Sequence, residues 1–298
     1  MYILFAKFIY YGSYLSLITL GLNIWWITEA GWSSLNAALL AWHLLFLYMR
    51  FWEPYHIKIQ HHKVENLPHK IAFFSDPHLG AFKKADFLEK IIKKLNHHDP
   101  DLVLIGGDFV HATREEDLED LFRPLQKITC PLHVVLGNHD LPIEGENFTD
   151  EVYQALKNLK ISVIDDQVIH HEDMQIVGLK DCWNGKLRTD LLPVGAEYHS
   201  ARAEQCSAPT KTIILTHNPD RVLEFPANTQ SDLILCGHTH GGQIRLPGIY
   251  KHMIPCQHDF DTGWHEVNGH KVFVSPGVGE HTLPLRLGVR PRVHIFTA

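Results

Sequence analysis

Five short stretches of this chain carry side chains that bind metals or move protons. They are Asp76-Pro-His78, Gly107-Asp108, Gly137-Asn-His-Asp140, His217 and Gly237-His-Thr-His240. Together they offer Asp76, His78, Asp108, Asn138, His139, His217, His238 and His240 as oxygen and nitrogen donors. That is more than one divalent ion can use, and it fits two ions sharing a carboxylate bridge. Carboxylate, imidazole and amide oxygen favour Mn, Fe, Zn or Co over a soft, thiolate-held metal. In D-x-H and H-x-H the two side chains lie on one side of an extended segment. The flanking glycines let the backbone turn without a Cβ clash.

Each stretch follows a short apolar run, at 71–74, 102–105, 133–136, 213–215 and 233–236. Runs this short, rich in Val, Ile and Leu, predict buried strands rather than helices. In a mainly parallel sheet the loops after the strands gather at one edge, which would bring the five stretches together. Phe87, Leu88, Ile91, Ile92 and Leu95 share one face of a helix over 85–97. Val152, Ala155, Leu156 and Leu159 do the same after Thr149 and Asp150, which suit a cap. Val272, Val274, Val293 and Ile295 predict further strands. With no internal repeat, residues 54–298 read as one α/β domain of stacked sheets with outer helices.

The first 53 residues are different. Residues 8–27 and 31–49 are two uncharged runs, each long enough to cross a bilayer as a helix. Trp25, Trp26 and Trp32 sit where the runs meet, a placement that suits a membrane–water interface. The expected unit is a two-helix transmembrane hairpin, residues 1–53, acting as an anchor. Lys7 precedes it, Arg50, Lys58 and Lys63 follow it, and its turn carries only Glu29. Positive charge stays on the cytoplasmic side, so both ends and the α/β domain are expected there. Lys7 and Arg50 balance Glu29 and Glu53, so the net charge of −7 belongs to the downstream domain. That acidic balance argues against a stable nucleic-acid partner. Five cysteines in 298 residues are no disulfide scaffold, and Cys130, Cys182 and Cys206 show no paired spacing.

The ordered set D-x-H, G-D, G-N-H-D, H and G-H-x-H resembles the calcineurin-like metallophosphoesterase superfamily. The extensions His238-Thr-His-Gly-Gly-Gln-Ile-Arg-Leu-Pro247 and Gly277-Val-Gly with Leu285-Arg-Leu and Arg290-Pro291 are similar to its bacterial, membrane-associated YkuE/YaeI-type branch. The resemblance covers about residues 55–298. It implies a four-layer α/β/β/α sandwich with a two-metal site between the loops. It implies Asp76, His78, Asp108 and His240 around one divalent ion, and Asp108, Asn138, His217 and His238 around the other. It also implies that a metal-bridging hydroxide attacks phosphorus, with His139 acting on the leaving oxygen and Asp140 orienting that imidazole; the other reading of Asp140 is a loop cap that satisfies local backbone. Some relatives carry a twin-arginine export signal. No Arg-Arg pair precedes the first apolar run here, so the inner membrane with a cytoplasmic domain remains the expected location.

The expected activity is hydrolysis of a phosphoester, phosphodiester or pyrophosphate. A lipid-linked substrate is favoured by the anchor and by a membrane-associated relative that cleaves UDP-diacylglucosamine. A phosphodiesterase of soluble nucleotides, and a non-catalytic scaffold on the same fold, are the alternatives. Other signals are read as structural. The pairs His61-His62, His97-His98 and His170-His171 read as solvated, Cys236 as core, and Arg245, Arg286 and Arg290 either as phosphate contacts or, at least equally well, as surface arginines. His252, Cys256 and His258 lack a fourth ligand for an extra metal site.

Overall fold

The computed structural model describes residues 2–113, 118–140, 149–194 and 211–298. Among the described residues, six α-helices run α1 Tyr2–Gly12, α2 Leu15–Ala30, α3 Ser34–Leu47, α4 Ala85–Asn96, α5 Leu118–Phe122 and α6 Thr149–Asn158. The strands are β1 Lys58–Lys63, β2 Ile71–Phe74, β3 Leu79–Gly80, β4 Leu102–Gly106, β5 Val110–His111, β6 Leu132–Val135 and β7 Ser162–Val163. They continue as β8 Gln167–His171, β9 Met174–Leu179, β10 Lys211–Thr216, β11 Leu233–Cys236, β12 Gly263–Val267, β13 His270–Val274 and β14 Arg292–Thr297.

Two six-stranded mixed sheets form, ordered β1-β14-β2-β4-β6-β7 and β12-β13-β11-β10-β9-β8. The centre of each is parallel: β2, β4, β6 and β7 in the first, β9, β10, β11 and β13 in the second. Strand alternation sorts the apolar side chains into layers. Ile71, Phe73, Leu102 and Leu104 meet Ile213, Leu215, Leu233 and Leu235 between the sheets. Ala72, Phe74, Val103 and Ile105 face outward onto α4 and α6. Because both faces are covered, these strands are uniformly apolar, as the sequence pattern required.

Helix α4 buries Phe87, Leu88, Ile91, Ile92 and Leu95. Burying each such side chain is worth roughly 1.5–3 kcal/mol, against propensity differences below about 1 kcal/mol per residue. Packing on the sheet therefore holds this helix. On the second sheet, Ile214, Ile234, Cys236 and Val272 are covered by Leu192, Val222 and Phe260. Among the described residues that outer layer is built from single 3₁₀ turns, including Thr189–Leu191 and Pro219–Glu224, rather than from α-helices.

The N-terminal helices have the opposite pattern. Leu15, Ile18, Leu22, Trp25, Trp26 and Trp42 are exposed, while Asn23 and Asn36 are buried. Asn23 Nδ2 donates to the carbonyl of Asn36 at 3.4 Å, and His43 Nε2 lies 3.0 Å from Thr19 Oγ1, so α2 and α3 are antiparallel neighbours. The stretch Ile3–Ala30 is long and apolar enough to cross a membrane, an 18-residue segment of it reaching a mean hydropathy of 1.4. Helix α3 has 14 α-helical residues and continues as a π-helical turn, Tyr48–Trp52.

Two structural readings are corrected. His62 is not solvated; its Nε2 lies 3.1 Å from His294 Nδ1, between the rings of Phe273 and Phe296. Burial pushes it down to about 4, so it is a neutral core side chain. Arg286 is not at the surface either. It is fully buried and donates to the carbonyls of Val289, Pro276, Gly277 and Gly279. Cys130, Cys182, Cys236 and Cys256 are free thiols, and Cys206 lies outside the described residues.

Candidate metal centre

The loops after β2, β4, β6, β10 and β11 do meet at one edge of the paired sheets. Two groups of donors result, Asp76, His78, Asp108 and His240, and Asp108, His217 and His238, each with ligand atoms within 4.8 Å of one another. Asp108 belongs to both. Its Oδ2 stands 3.4 Å from His78 Nε2 and 3.2 Å from His217 Nε2. His78 Nε2 and His240 Nε2 are 3.0 Å apart, and His217 Nε2 and His238 Nδ1 are 3.2 Å apart.

Tight packing of the loops makes these approaches. A Cβ on Gly137 would fall onto Asp108 Oδ1, and one on Gly237 would come 2.6 Å from Asp76 Oδ2. Asp76, His78, Asp108, His238 and His240 all have φ between 44° and 72°. Left-handed backbone at non-glycine residues is costly, and it persists only where the surroundings enforce it. The outer ring nitrogens are tied to main chain: His78 Nδ1 is 3.3 Å from the Val110 carbonyl, His217 Nδ1 2.6 Å from that of Gly106, and His238 Nε2 3.2 Å from that of Pro255. Such bonds fix ring orientation and leave the opposite nitrogen for a ligand.

The electrostatics fit a cation. Burial, and then the Asp108 carboxylate, push Asp76 up to about 7. Burial holds His78 and His240 well below the ordinary histidine range and His238 at about 3, so all three are neutral. Burial would lower His217 too, but the Asp108 carboxylate outweighs it and raises the imidazole. Positive charge is thus demanded beside Asp108. Asn138 Oδ1 and His240 Nδ1 are buried without a hydrogen-bond partner. Inward-facing lone pairs on neutral imidazoles, two buried carboxylates and an orphan amide oxygen form a donor set for divalent ions.

His139 lines the mouth of a cleft of about 490 Å³, together with Asp108 and Asn138. Its N–H donates to Asp108 Oδ1 at 2.8 Å, which fixes it relative to the shared carboxylate. Asp140 departs from expectation. Its Oδ1 accepts the N–H groups of Phe109 at 2.6 Å and Val110 at 3.2 Å, and its Oδ2 accepts that of Gly137 at 3.0 Å. It braces two loops through their backbone rather than standing behind the His139 ring. Trp183, Ile244, Met253 and Leu283 add apolar surface to the cleft lining.

Sequence reasoning missed two histidines here. The His281 and His139 ring centroids are 4.4 Å apart, and those of His111 and His78 are 5.5 Å apart. His111 follows Asp108 by three residues and His281 follows the Gly277-Val-Gly stretch. Only this closeness to recognised motifs marked them.

Paired mixed sheets, with carboxylates and imidazoles gathered beyond the parallel strands around one shared aspartate, define a metallophosphoesterase. Residues 69–242 match the calcineurin-like phosphoesterase family, and the chain belongs to it as a metal-dependent phosphoesterase. It is 29% identical to the phosphodiesterase YaeI of Escherichia coli over 87% of this chain and 94% of that one. It is 28% identical to the metallophosphoesterase YkuE of Bacillus subtilis, over 84% and 88% of the two chains. A bovine transmembrane protein with a metallophosphoesterase domain is 27% identical over 75% of this chain and 51% of its own length.

Proposed function

We propose a two-metal phosphohydrolase anchored to a membrane by residues 1–53, with residues 54–298 as the catalytic domain. The observation that carries the two-metal reading is the position of Asp108 Oδ2 between His78 Nε2 and His217 Nε2. Asp76, His78, Asp108 and His240 hold one ion; Asp108, Asn138, His217 and His238 hold the other. When bound, the ions supply an activated water near neutral pH and offset charge on the phosphoryl oxygens. His139, at the cleft mouth, donates a proton or hydrogen bond to the leaving oxygen. Asp140 is a positioning residue that keeps the Asp108 and His139 loops in register. Metal analysis of purified protein with a panel of phosphate esters tests this. About two divalent ions per chain and hydrolysis are expected; a metal-replete protein that hydrolyses no ester overturns it.

The substrate we favour is a lipid-linked phosphodiester or pyrophosphate. The apolar surface that Trp183, Ile244, Met253 and Leu283 add to the cleft lining supports it, and so does the exposed apolar surface of α2 and α3. Buried Asn23 and Asn36 between these helices suit spans that pack through polar contacts inside lipid. The relative named as a transmembrane protein agrees with the anchor. The excess of Lys7, Arg50, Lys58 and Lys63 over Glu29 supports a catalytic domain on the cytoplasmic side of the inner membrane. Trp183→Ala should slow a lipid phosphodiester in micelles by about tenfold and spare a chromogenic diester; equal rates on both substrates count against the lipid. For topology, an impermeant thiol reagent should reach Ser33→Cys in intact cells and Lys63→Cys only after permeabilisation.

A further inference from the structure

A third group of donors shares the cleft. Ring nitrogens of His111, His139 and His281 all lie within 4.8 Å of one another. The centroid separations are 4.4 Å for His139–His281, 5.2 Å for His111–His281 and 6.2 Å for His111–His139. Each of the three residues is held in place. His111 is buried in β5, with Phe82 5.0 Å away. His139 is pinned through its N–H to Asp108. His281 is clamped by one side chain: Gln243 Oε1 accepts its N–H at 2.9 Å, and Gln243 Nε2 donates to its carbonyl at 3.0 Å. The Thr282 hydroxyl, 2.9 Å from His281 Nδ1, sets the ring so that Nε2 is left for a ligand.

The group differs in kind from the centre around Asp108. It contains no carboxylate. Three imidazoles with an open fourth position suit zinc, and nitrogen-only donors disfavour Mg or Mn. We propose that His111, His139 and His281 form a separate tris-imidazole site for a third, zinc-class cation, whose occupation inhibits the enzyme. Inhibition rests on the reading of His139 given above: a nitrogen coordinating zinc no longer serves the leaving oxygen. Two divalent ions beside Asp76 and Asp108 leave net positive charge there. The third cation therefore binds last and more weakly than the first two.

Full-length protein in detergent is dialysed against rising Zn²⁺. Zinc per chain is counted by elemental analysis, and turnover of a chromogenic phosphodiester is followed in parallel. Wild type should hold one zinc more than His281→Gln, and than His111→Phe, which keeps a ring against Phe82. Excess zinc should inhibit wild type, and the inhibiting concentration should rise by about 10–100-fold in either variant. Melting curves establish that the variants are folded, and partly exposed His281 provides the test if His111→Phe is not. Equal zinc content in wild type and His281→Gln overturns the site. An extra zinc that binds without slowing turnover supports the site and overturns the leaving-group role of His139.

Discussion

The Asp140 carboxylate accepts the N–H of Phe109 at 2.6 Å, and so ties the turn that carries His139 to the turn that carries Asp108. Its other oxygen closes the arrangement on Gly137. Burial, and then Asp108, push Asp140 up to about 8, a rise that its three N–H donors offset only in part.

Asp140→Ala strands those three donors at the metal loops. An unsatisfied buried donor costs about 1–3 kcal/mol. The variant should lose metal affinity and turnover together, with a lower melting temperature. A residue that only oriented the His139 imidazole would leave metal content normal, so elemental analysis of the purified variant separates the two roles.

His139→Ala should behave in the opposite way. Its side chain belongs to neither group around Asp108, so the two ions there are kept while turnover falls by roughly 10²–10⁴-fold. The fall should be smallest for esters with good leaving groups, which need no proton. Asp108→Asn removes the shared charge and should lose both metal and activity. Substantial activity in Asp108→Asn would overturn the bridging assignment.

Arg286 should be intolerant of lysine. Its fork serves four carbonyls around Gly277 to Val289, and its Nε lies 3.4 Å from the buried Glu280. That loop seats Asp76, since the Gly279 N–H donates to the Asp76 carbonyl at 2.7 Å. A lysine ammonium cannot reproduce the planar fork. Arg286→Lys should cost about 3–5 kcal/mol, the range for breaking a buried charge network. Metal affinity should weaken with it; a melting temperature equal to wild type would contradict this reading.

Asp165 gives a pH dependence that does not rest on a donor group. Burial pushes this carboxyl up to about 7, although the Leu136 N–H donates to it at 2.9 Å. A raised carboxyl pKa favours the protonated, folded form. Its contribution is fully present below the unfolded value near 4 and is lost as pH rises to about 7. Asp165→Asn keeps an acceptor for Leu136 and cannot ionise. The variant should match wild type near pH 4 and be more stable at pH 8 by roughly 1 kcal/mol, a discounted figure because the carboxyl is only partly buried. Denaturant melts at the two pH values measure the difference.

Much of the architecture was legible because its causes are local. Apolar runs ending in Asp-x-His, Gly-Asp and Gly-Asn-His mark strand ends, and the spacing of Phe87, Leu88, Ile91, Ile92 and Leu95 marks α4. The misreadings share one cause. The role of each comes from a partner that no local pattern marks: His294 for His62, the carbonyls of the folded-back loop around Gly277 for Arg286, and the Phe109 N–H for Asp140.

Residue types and their order along the chain determined the donor inventory, the sheet edge on which it lies and the apolar segment that precedes it. These depend on side-chain chemistry and on periodicities of two and 3.6 residues. Tertiary structure alone decided that Asp108 Oδ2 stands between His78 and His217, that five site residues adopt left-handed backbone, and that His111 and His281 join His139. Those are distances across loops from different strands, set by close packing where two sheets meet, and no local pattern encodes them.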